Sequence, residues 1–447
     1  MQSSLRVSSL VSLLLPAILS AQSAQRITLT DAIQIALRQN LQLKQAENNL
    51  ELQQATASVA KKGLLPSFSF GTSASEVVGQ SFNQAIGKVT TQTTRYLSPG
   101  VSTGLLLFDG TRTYANISSA NHNATASSAD LDRARQTAAF NAATNFIAYL
   151  GARSQRMVQE ANVTAVDAQL KQIETMVNVG EKPRTDLYAQ RAQAASARLT
   201  QAQAFQAEEN ARLDLIQSLQ LDPDGLYEFV PPEMPDSLAP LAVPVDSLVR
   251  IAREHRSDVL AARERLVAAG QDVRAAKVSR LPSLNLNAGY NTNYTSATDS
   301  PVLTQFNDRR GGSATINFSL PIFDRGNISF NAQRAEVNQE NAELAVANQQ
   351  RVASLEVRRA AMTVRSAYEQ LAAATAQESS ARLALEGSQE RYRAGAAQLL
   401  EVTQSQSQLV AAQTALSNAR FNVTLMRTAL MYYAGTLDMN NPVALAK

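Results

Sequence analysis

The chain carries few side chains of the kinds that catalyse reactions or bind metals. It has no cysteine, and its only histidines are His122 and His255. Without cysteine there is no disulfide, no thiolate nucleophile and no cysteine metal site. No catalytic constellation surrounds either histidine, and we interpret both as isolated surface residues. We therefore expect a protein that is not an enzyme and that has no cofactor and no resident metal.

Two short acidic segments could suggest a cation site. They are Asp109-Gly110 and Asp324-Arg325-Gly326. Both lack the regularly spaced oxygen ligands of a calcium loop. We predict instead that each is a strand-to-helix turn, with the aspartate at or near a helix start. Gly311-Gly312 precedes a strand and does not form a phosphate-binding loop, so we predict a conformational role for it.

Charge and the N-terminal residues indicate where the protein acts. The formal net charge is +3 and the pI about 9.1, but Lys and Arg are dispersed among acids. Since no basic patch results, we do not expect nucleic-acid binding. Arg6, the apolar run Val7 to Leu19 and the small residues that follow are typical of a secretory signal. We predict that this signal occupies residues 1–24 and is cut near 21–24.

The chain repeats itself at a nearly constant offset. Four pairs of similar residues lie 215 positions apart: Asp31 and Asp246, Asp109 and Asp324, Gly180 and Gly395, and the acids Asp186 and Glu401. The Leu-Pro-Ser triplets that begin at Leu65 and Leu281 lie 216 apart, which implies one inserted residue. Matches at one offset across nearly the whole chain predict a tandem duplication.

Each repeat has the same predicted layout. The first (25–221) has an amphipathic helix from Asp31 to Gly63, a β-hairpin (66–108) whose strands are separated by a polar loop through Ser98, and a helical hairpin (111–221). The second (245–437) has a β-hairpin (282–323) and a helical hairpin (325–434). A Pro-rich linker (222–244) joins the repeats, and residues 438–447 form a tail.

The helical hairpins have the pattern of coiled coils. Apolar and small residues step by three and four positions along the last helix, at Val402, Ser405, Leu409, Ala412, Leu416, Ala419, Val423, Met426 and Leu430. Such a repeat predicts a left-handed supercoil. The helix from Thr111 to Asn178 would be about 100 Å long, which no compact domain of this size contains.

The strands alternate apolar and polar residues. We predict that one apolar face carries Phe68, Phe70, Leu284, Leu286, Ile316 and Phe318. Strands of nine to eleven residues with this alternation fit a bilayer, in which a sheet must close because open edges are not tolerated. Two copies of four strands would leave little channel and three copies would form a pore. The alternative is a small soluble sheet on an exported coiled-coil scaffold or adhesin-like protein without a channel.

Several motifs carry a family resemblance over the whole mature chain. They are Leu29-Thr30-Asp31-Ala32-Ile33, the two Leu-Pro-Ser triplets, Leu320-Pro321-Ile322-Phe323-Asp324-Arg325-Gly326, and the turns Asn178-Val179-Gly180 and Arg393-Ala394-Gly395. In order and spacing the chain resembles the TolC-type outer-membrane efflux proteins. The resemblance implies a mainly α fold with a membrane β-barrel: a homotrimer with a twelve-stranded barrel and a tunnel of long antiparallel coiled-coil helices in the periplasm.

The same resemblance implies a function and partners. Such proteins are passive exit ducts of tripartite efflux or type I secretion systems in the Gram-negative outer membrane. They sit in outer-membrane lipid, contact a periplasmic adaptor (membrane fusion) protein and serve an inner-membrane pump of the RND or ABC type. The helical tips around Gly180 and Gly395 match the positions of adaptor contact.

Site residues also follow from the resemblance. Glu401 matches a position where an acidic ring narrows the pore, and three copies would favour cations. Asp186, Tyr392 and Arg420 match a network that holds the tip closed. In that network Asp186 would accept hydrogen bonds, Tyr392 would donate one, and Arg420 would pair with a neighbouring helix. The chain departs from the family pattern at Gln404, where a second acid is common, and at Ala397, where an arginine of the latch is common.

Overall fold

The computed structural model describes residues 25–83, 86–231 and 244–438. The predicted signal, most of the Pro-rich linker and all but the first residue of the predicted tail lie outside these ranges, so their predictions are untested. None of the described helices combines the length and the apolar composition needed to span a bilayer.

Helices and strands follow the predicted duplication. The first repeat comprises β1 (Gln25–Ile27), α1 (Leu29–Gln39), α2 (Leu41–Lys62), β2 (Ser67–Asn83), β3 (Lys88–Phe108), α3 (Arg112–Asn178), α4 (Arg184–Leu219) and β4 (Tyr227–Phe229). The second comprises α5 (Val245–His255), α6 (Ser257–Val278), β5 (Ser283–Asn291), β6 (Tyr294–Thr295), α7 (Val302–Asp308), β7 (Gly311–Ser319), α8 (Asn327–Arg393) and α9 (Leu399–Ala434).

Apart from the seven-residue α7 of the second repeat, the helices of the two repeats match residue for residue in length. Both repeats have helices of 11, 22, 67 and 36 residues in the same order. The first two helices of each repeat, and the strands β2 and β5 that follow them, are offset by 216, and the last two helices by 215. Asp31 and Asp246 are therefore not equivalent, contrary to the prediction. Asp31 is the third residue of α1 and closes a capping box with Thr28, whereas Asp246 is the second residue of α5.

Three local predictions were wrong. The predicted single helix from Asp31 to Gly63 is two helices, because the Asn40 side chain accepts a hydrogen bond from the Leu43 backbone N–H (3.0 Å) and caps a new helix there. The predicted polar loop through Ser98 is mostly strand in β2 and β3. The start of the predicted linker is the strand β4, which pairs in parallel with β1.

The turns at the two acidic segments agree with the prediction. Asp109 Oδ2 accepts from the Thr113 backbone N–H (2.8 Å) and hydroxyl (2.6 Å). Asp324 Oδ2 accepts from the backbone N–H of Ile328 at the equivalent place (2.5 Å). Each carboxylate therefore caps the first turn of a 67-residue helix.

The sheet has one apolar and one polar face. Strands pair antiparallel in the order β2-β3-β5-β7, so within the described residues β2 and β7 each keep one unpaired edge. Directly paired residues share a face. The register places these on one face: Phe68, Phe70, Val101, Leu105, Leu284, Leu286, Tyr290, Ile316 and Phe318. The opposite face carries Ser67, Ser69, Ser102, Asn285, Asn287, Thr315, Asn317 and Ser319. The six residues predicted to share an apolar face do share it.

The apolar face has a height suited to lipid. Leu97 to Phe108 spans about 36 Å along β3, or about 26 Å in height at a 45° tilt. This is close to the roughly 25 Å apolar band of outer-membrane barrels. On the same face, the next row beyond Leu97 is the ion pair of Glu76 with Arg95 (2.8 Å). The rest of the β2-β3 hairpin extends past this charged row.

The long helices pack as antiparallel hairpins, α3 with α4 and α8 with α9, while α3 also contacts α2, α6 and α9. The predicted seam on α9 is confirmed. Six of its nine positions are buried, and the other three are half-buried. Buried residues of α1, α3, α4, β1 and β4 form one core, and buried residues of α5, α6, α8 and α9 form another.

A buried arginine fastens the second repeat at the α5-α6 junction. Arg256, 2% exposed, donates to both carboxylate oxygens of Asp258 (2.8 Å each), to Glu356 (2.5 Å) and to the Tyr433 carbonyl (3.3 Å). Burial of the Asp258 carboxylate opposes its ionisation, but the hydrogen bonds and charge of Arg256 outweigh burial and lower the pKa of Asp258. The equivalent residue of the first repeat is Asn40, which makes only a helix cap.

We expect Arg256→Gln to destabilise the protein by about 3 kcal/mol, because it removes the cation that is hydrogen-bonded to two partly buried carboxylates and leaves Asp258 only the more distant Arg133 (3.8 Å). Thermal unfolding in detergent measures the loss. A lowered Asp258 pKa contributes stability above its unfolded value, about 3.9, that is lost as pH falls through the folded value. The difference between wild type and variant should therefore shrink in acid. The control is Arg253→Gln, an exposed arginine near the end of α5; equal melting temperatures for both variants would contradict the prediction.

Candidate functional site

The turn of each helical hairpin has the same backbone geometry. In the first, the Glu181 N–H donates to the Met176 carbonyl (2.9 Å) and the Gly180 N–H to the Val177 carbonyl (3.1 Å). In the second, the equivalent bonds join Ala396 to Arg391 (2.8 Å) and Gly395 to Tyr392 (3.1 Å). Both are Schellman motifs, which need a left-handed residue after the helix.

Glycine supplies that conformation in both turns. Gly180 has φ +82° and Gly395 has φ +73°, and a Cβ at either position would meet no atom within 4 Å. The requirement is therefore conformational and not a matter of space. These two turns place the ends of α3, α4, α8 and α9 together at one end of the molecule, which we call the tip.

Asp186 and Tyr392 meet at the tip. The Tyr392 hydroxyl donates to Asp186 Oδ2 (3.3 Å), which joins α4 of the first hairpin to α8 of the second. The Tyr392 ring is buried among Ile173, Leu385, Leu399 and Val402. Burial, and after it the Asp186 carboxylate, raises the pKa of Tyr392 to about 12. The hydroxyl therefore keeps its proton, and stays a donor, across the physiological pH range.

Lys182 adds a second contact to this cluster. Its Nζ lies 4.1 Å from the centroid of the Tyr392 ring, within the range of a cation–π interaction. Sequence reasoning did not identify this residue. The signal that could have found it is its position in the first turn, two residues before α4 begins.

Glu401 is paired inside its own hairpin. Its Oε1 accepts from Arg391 Nη1 at 2.7 Å, between the end of α8 and the start of α9. Sequence reasoning missed Arg391, although the two residues lie on either side of a short turn in an antiparallel hairpin and can therefore face each other. Glu401 and Asp186 are equivalent in the repeat, yet they have partners of different chemistry.

Arg420 lies away from this cluster within the protomer. It is exposed, and its position 21 residues beyond Leu399 places it about 32 Å along α9. The structure thus brings together Asp186 and Tyr392, places Glu401 nearby in the same turn region, and separates Arg420 from all three. The expected pairing of Arg420 with a neighbouring helix stays a prediction.

The histidines have acidic neighbours. His122 Nδ1 lies 2.7 Å from Glu264 Oε2, across the contact of α3 with α6, so the interpretation of His122 as isolated was wrong. His255 is exposed, with Nε2 3.8 Å from Glu254. Among the residues that the structure describes, no group of three or more His, Asp or Glu side chains is arranged to hold a metal ion.

Comparisons with known proteins cover almost the entire chain. The sequence is 27% identical over 437 residues to outer membrane efflux protein BepC of Brucella suis, spanning 94% of this chain and 88% of that protein. It is 24% identical over 317 residues to outer membrane protein TolC of Escherichia coli, spanning 70% of this chain and 64% of that protein.

Solved structures share the fold. The Campylobacter jejuni CmeC outer membrane channel matches with a TM-score of 0.79 at 21% identity, over 91% of this chain and 85% of that one. CusC matches with a TM-score of 0.80 at 21% identity, over 91% of this chain and 92% of that one. The sequence model described as outer membrane efflux protein matches residues 32–219 and 248–436, and so both repeats. The chain belongs to the outer membrane efflux protein family: it is a channel protein of the outer membrane whose helical part extends into the periplasm.

Proposed function

We propose that the protein is the passive exit duct of a tripartite efflux or type I secretion system. One observation carries the proposal: a sheet with a lipid-height apolar face and a Ser- and Asn-rich opposite face lies at one end of helical hairpins about 100 Å long. An apolar exterior and a polar interior are what a water-filled barrel needs. The long helices then continue the duct away from the membrane.

Closure of the barrel requires several copies of the chain. The unpaired edges of β2 and β7 expose backbone N–H and C=O groups that lipid cannot satisfy. Pairing β7 of one copy with β2 of the next satisfies both edges. Three copies of four long strands would form a twelve-stranded barrel, which is wide enough for a channel. We propose this homotrimer as the working form.

The tip would serve as the gate and the adaptor contact. Gly180 and Gly395 set the two turns that an adaptor protein would contact, and an inner-membrane pump would supply the energy. The Asp186–Tyr392 hydrogen bond ties the two hairpins of a protomer, so loosening it would let the hairpins separate. Arg420, far from this bond along α9, would act through a neighbouring helix.

The duplication predicts the register of the contact between protomers. Within the chain, Ser102 of β3 lies opposite Gly289 of β5. The β2-β3 and β5-β7 registers show that β3 maps onto β7 with an offset of 215 and β2 onto β5 with an offset of 216. Asn317 of one protomer should therefore lie opposite Ser73 of its neighbour.

We expect Ser73→Cys with Asn317→Cys to form disulfides between protomers, because opposed Cα atoms in an antiparallel pair lie about 5 Å apart. The chain has no native cysteine to interfere. Oxidation in membranes should give covalent trimers on a non-reducing gel. Ser69→Cys with Asn317→Cys is the control, since it is displaced by about 13 Å along the strand. The proposed trimer in this register would be contradicted if the Ser73→Cys, Asn317→Cys protein stayed monomeric on the gel. Equal cross-linking in this protein and in the control would also contradict it.

We expect Tyr392→Phe and Asp186→Asn to raise single-channel conductance in a planar bilayer. Tyr392→Phe keeps the buried ring but removes the hydroxyl that binds Asp186, at a cost of about 1 kcal/mol of stability. Tyr188→Phe is the matched control, because Tyr188 is exposed on α4 two residues after Asp186. If Tyr392→Phe and Asp186→Asn both had the conductance of the wild type, Asp186 and Tyr392 would not be part of the gate.

A further inference from the structure

We infer that Arg391 is a built-in counter-ion of Glu401 and makes the narrow end of the duct nearly neutral, so that the duct passes cations and anions with little preference. The inference rests on the proposed function, since it assumes that Glu401 lines a pore. It differs from the sequence expectation, in which three copies of Glu401 form an acidic ring that favours cations.

The geometry is that of a direct ion pair. Arg391 Nη1 and Glu401 Oε1 are 2.7 Å apart, and the two residues flank the turn in which Gly395 ends α8. The side chains are 59% and 39% exposed, so the pair lies at the surface and not in the core. A pair in this position adds little stability, but it still cancels charge where a solute would pass.

The charges of this segment sum to zero. Glu401 supplies one negative and Arg391 one positive charge, and Gln404, one turn further along α9, is uncharged. The five residues between the two helices are Ala394, Gly395, Ala396, Ala397 and Gln398, which carry no charge. A second ion pair, Arg393 with Glu390 (2.6 Å), is also neutral as a unit. Three such protomers would bring no net charge to the constriction from this hairpin turn. In the first turn, the charges of Lys182 and Arg184 balance those of Glu181 and Asp186.

The duplication shows that this arginine is specific to the second hairpin. The position equivalent to Arg391 in the first repeat is Met176. The position equivalent to Glu401 is Asp186, whose partner is the neutral hydroxyl of Tyr392. The acid of the first hairpin is thus bound by a neutral hydroxyl, and the acid of the second by a cation. Because the two hairpins otherwise share their backbone geometry, Arg391 is not needed to form the turn.

The test is the K⁺/Cl⁻ permeability ratio of the purified protein in a planar bilayer, from the reversal potential in a KCl gradient. Wild type should discriminate weakly. Arg391→Gln should leave uncancelled carboxylates and shift the ratio toward K⁺. A local potential of about one kT would change the ratio on the order of sevenfold. Glu401→Gln should shift it toward Cl⁻, and the double variant should return to the wild-type value, as expected if Arg391 acts through Glu401.

Arg393→Gln is the matched control, because it removes the same charge two residues away on the same helix. An equal shift with Arg393→Gln, an unchanged ratio with Arg391→Gln, or a strongly cation-selective wild type would overturn the inference. A wild-type protein that forms no conducting channel would instead contradict the proposed function. The two failures are therefore distinguishable.

Discussion

Backbone hydrogen bonding in lipid is the constraint on which the rest of this structure depends. Four strands expose two edges, and hydrocarbon offers those edges no partner. The apolar face favours insertion of the strands into lipid, but an open sheet in lipid leaves the backbone groups of its two edges without hydrogen-bond partners. Association is therefore a requirement of the sheet, whereas the helices could form coiled coils as hairpins within one chain. In the proposed trimer, the membrane end therefore determines how many chains assemble, and the helical end follows.

The two repeats have the same backbone layout because of the duplication, and they differ in their side-chain contacts. The repeats share helix lengths, Asp caps and Schellman turns, which together determine where the helices begin and end. They differ where side chains meet. Arg256 holds a buried ionic cluster where Asn40 makes only a cap, and Arg391 faces Glu401 where Met176 occupies the first repeat. The features that the repeats share thus determine the fold, and the side chains in which they differ determine the specific contacts.

The helices and strand faces could be predicted from sequence because their signals are periodic. Heptad spacing on α9 and alternation in β5 and β7 each use many residues, so single exceptions matter little. The break at Asn40 was missed because one capping side chain decides it. Strand at residues 72–83 was missed because nine of its twelve residues are small or polar, three of them Ser, although Val77 and Val78 stand within it. Pairing with β3 along the whole length overrides that composition.

The side-chain contacts at the tip were harder to predict from the sequence. The Asp186–Tyr392 bond joins residues 206 positions apart, and only a resemblance to a known family suggested it. Lys182 and Arg391 make contacts that depend on side-chain direction around a turn, which local patterns do not specify. For Arg420 the resemblance was a poor guide to position. Arg420 matches a family position in the sequence, but within one protomer it lies far from Asp186 and Tyr392.

The shift of offset between repeats, from 216 in the first helices to 215 in the last, has an evolutionary consequence. Since the duplication, the net length change that separates the two halves has been confined to the β-hairpin, while helices of 67 and 36 residues kept their lengths. One residue added to a helix turns everything beyond it by about 100° and removes its seam from its partner. A hairpin can instead take up an extra residue at its far end. Members of this family should therefore diversify in length at the far ends of their β-hairpins and remain fixed in length along their helices.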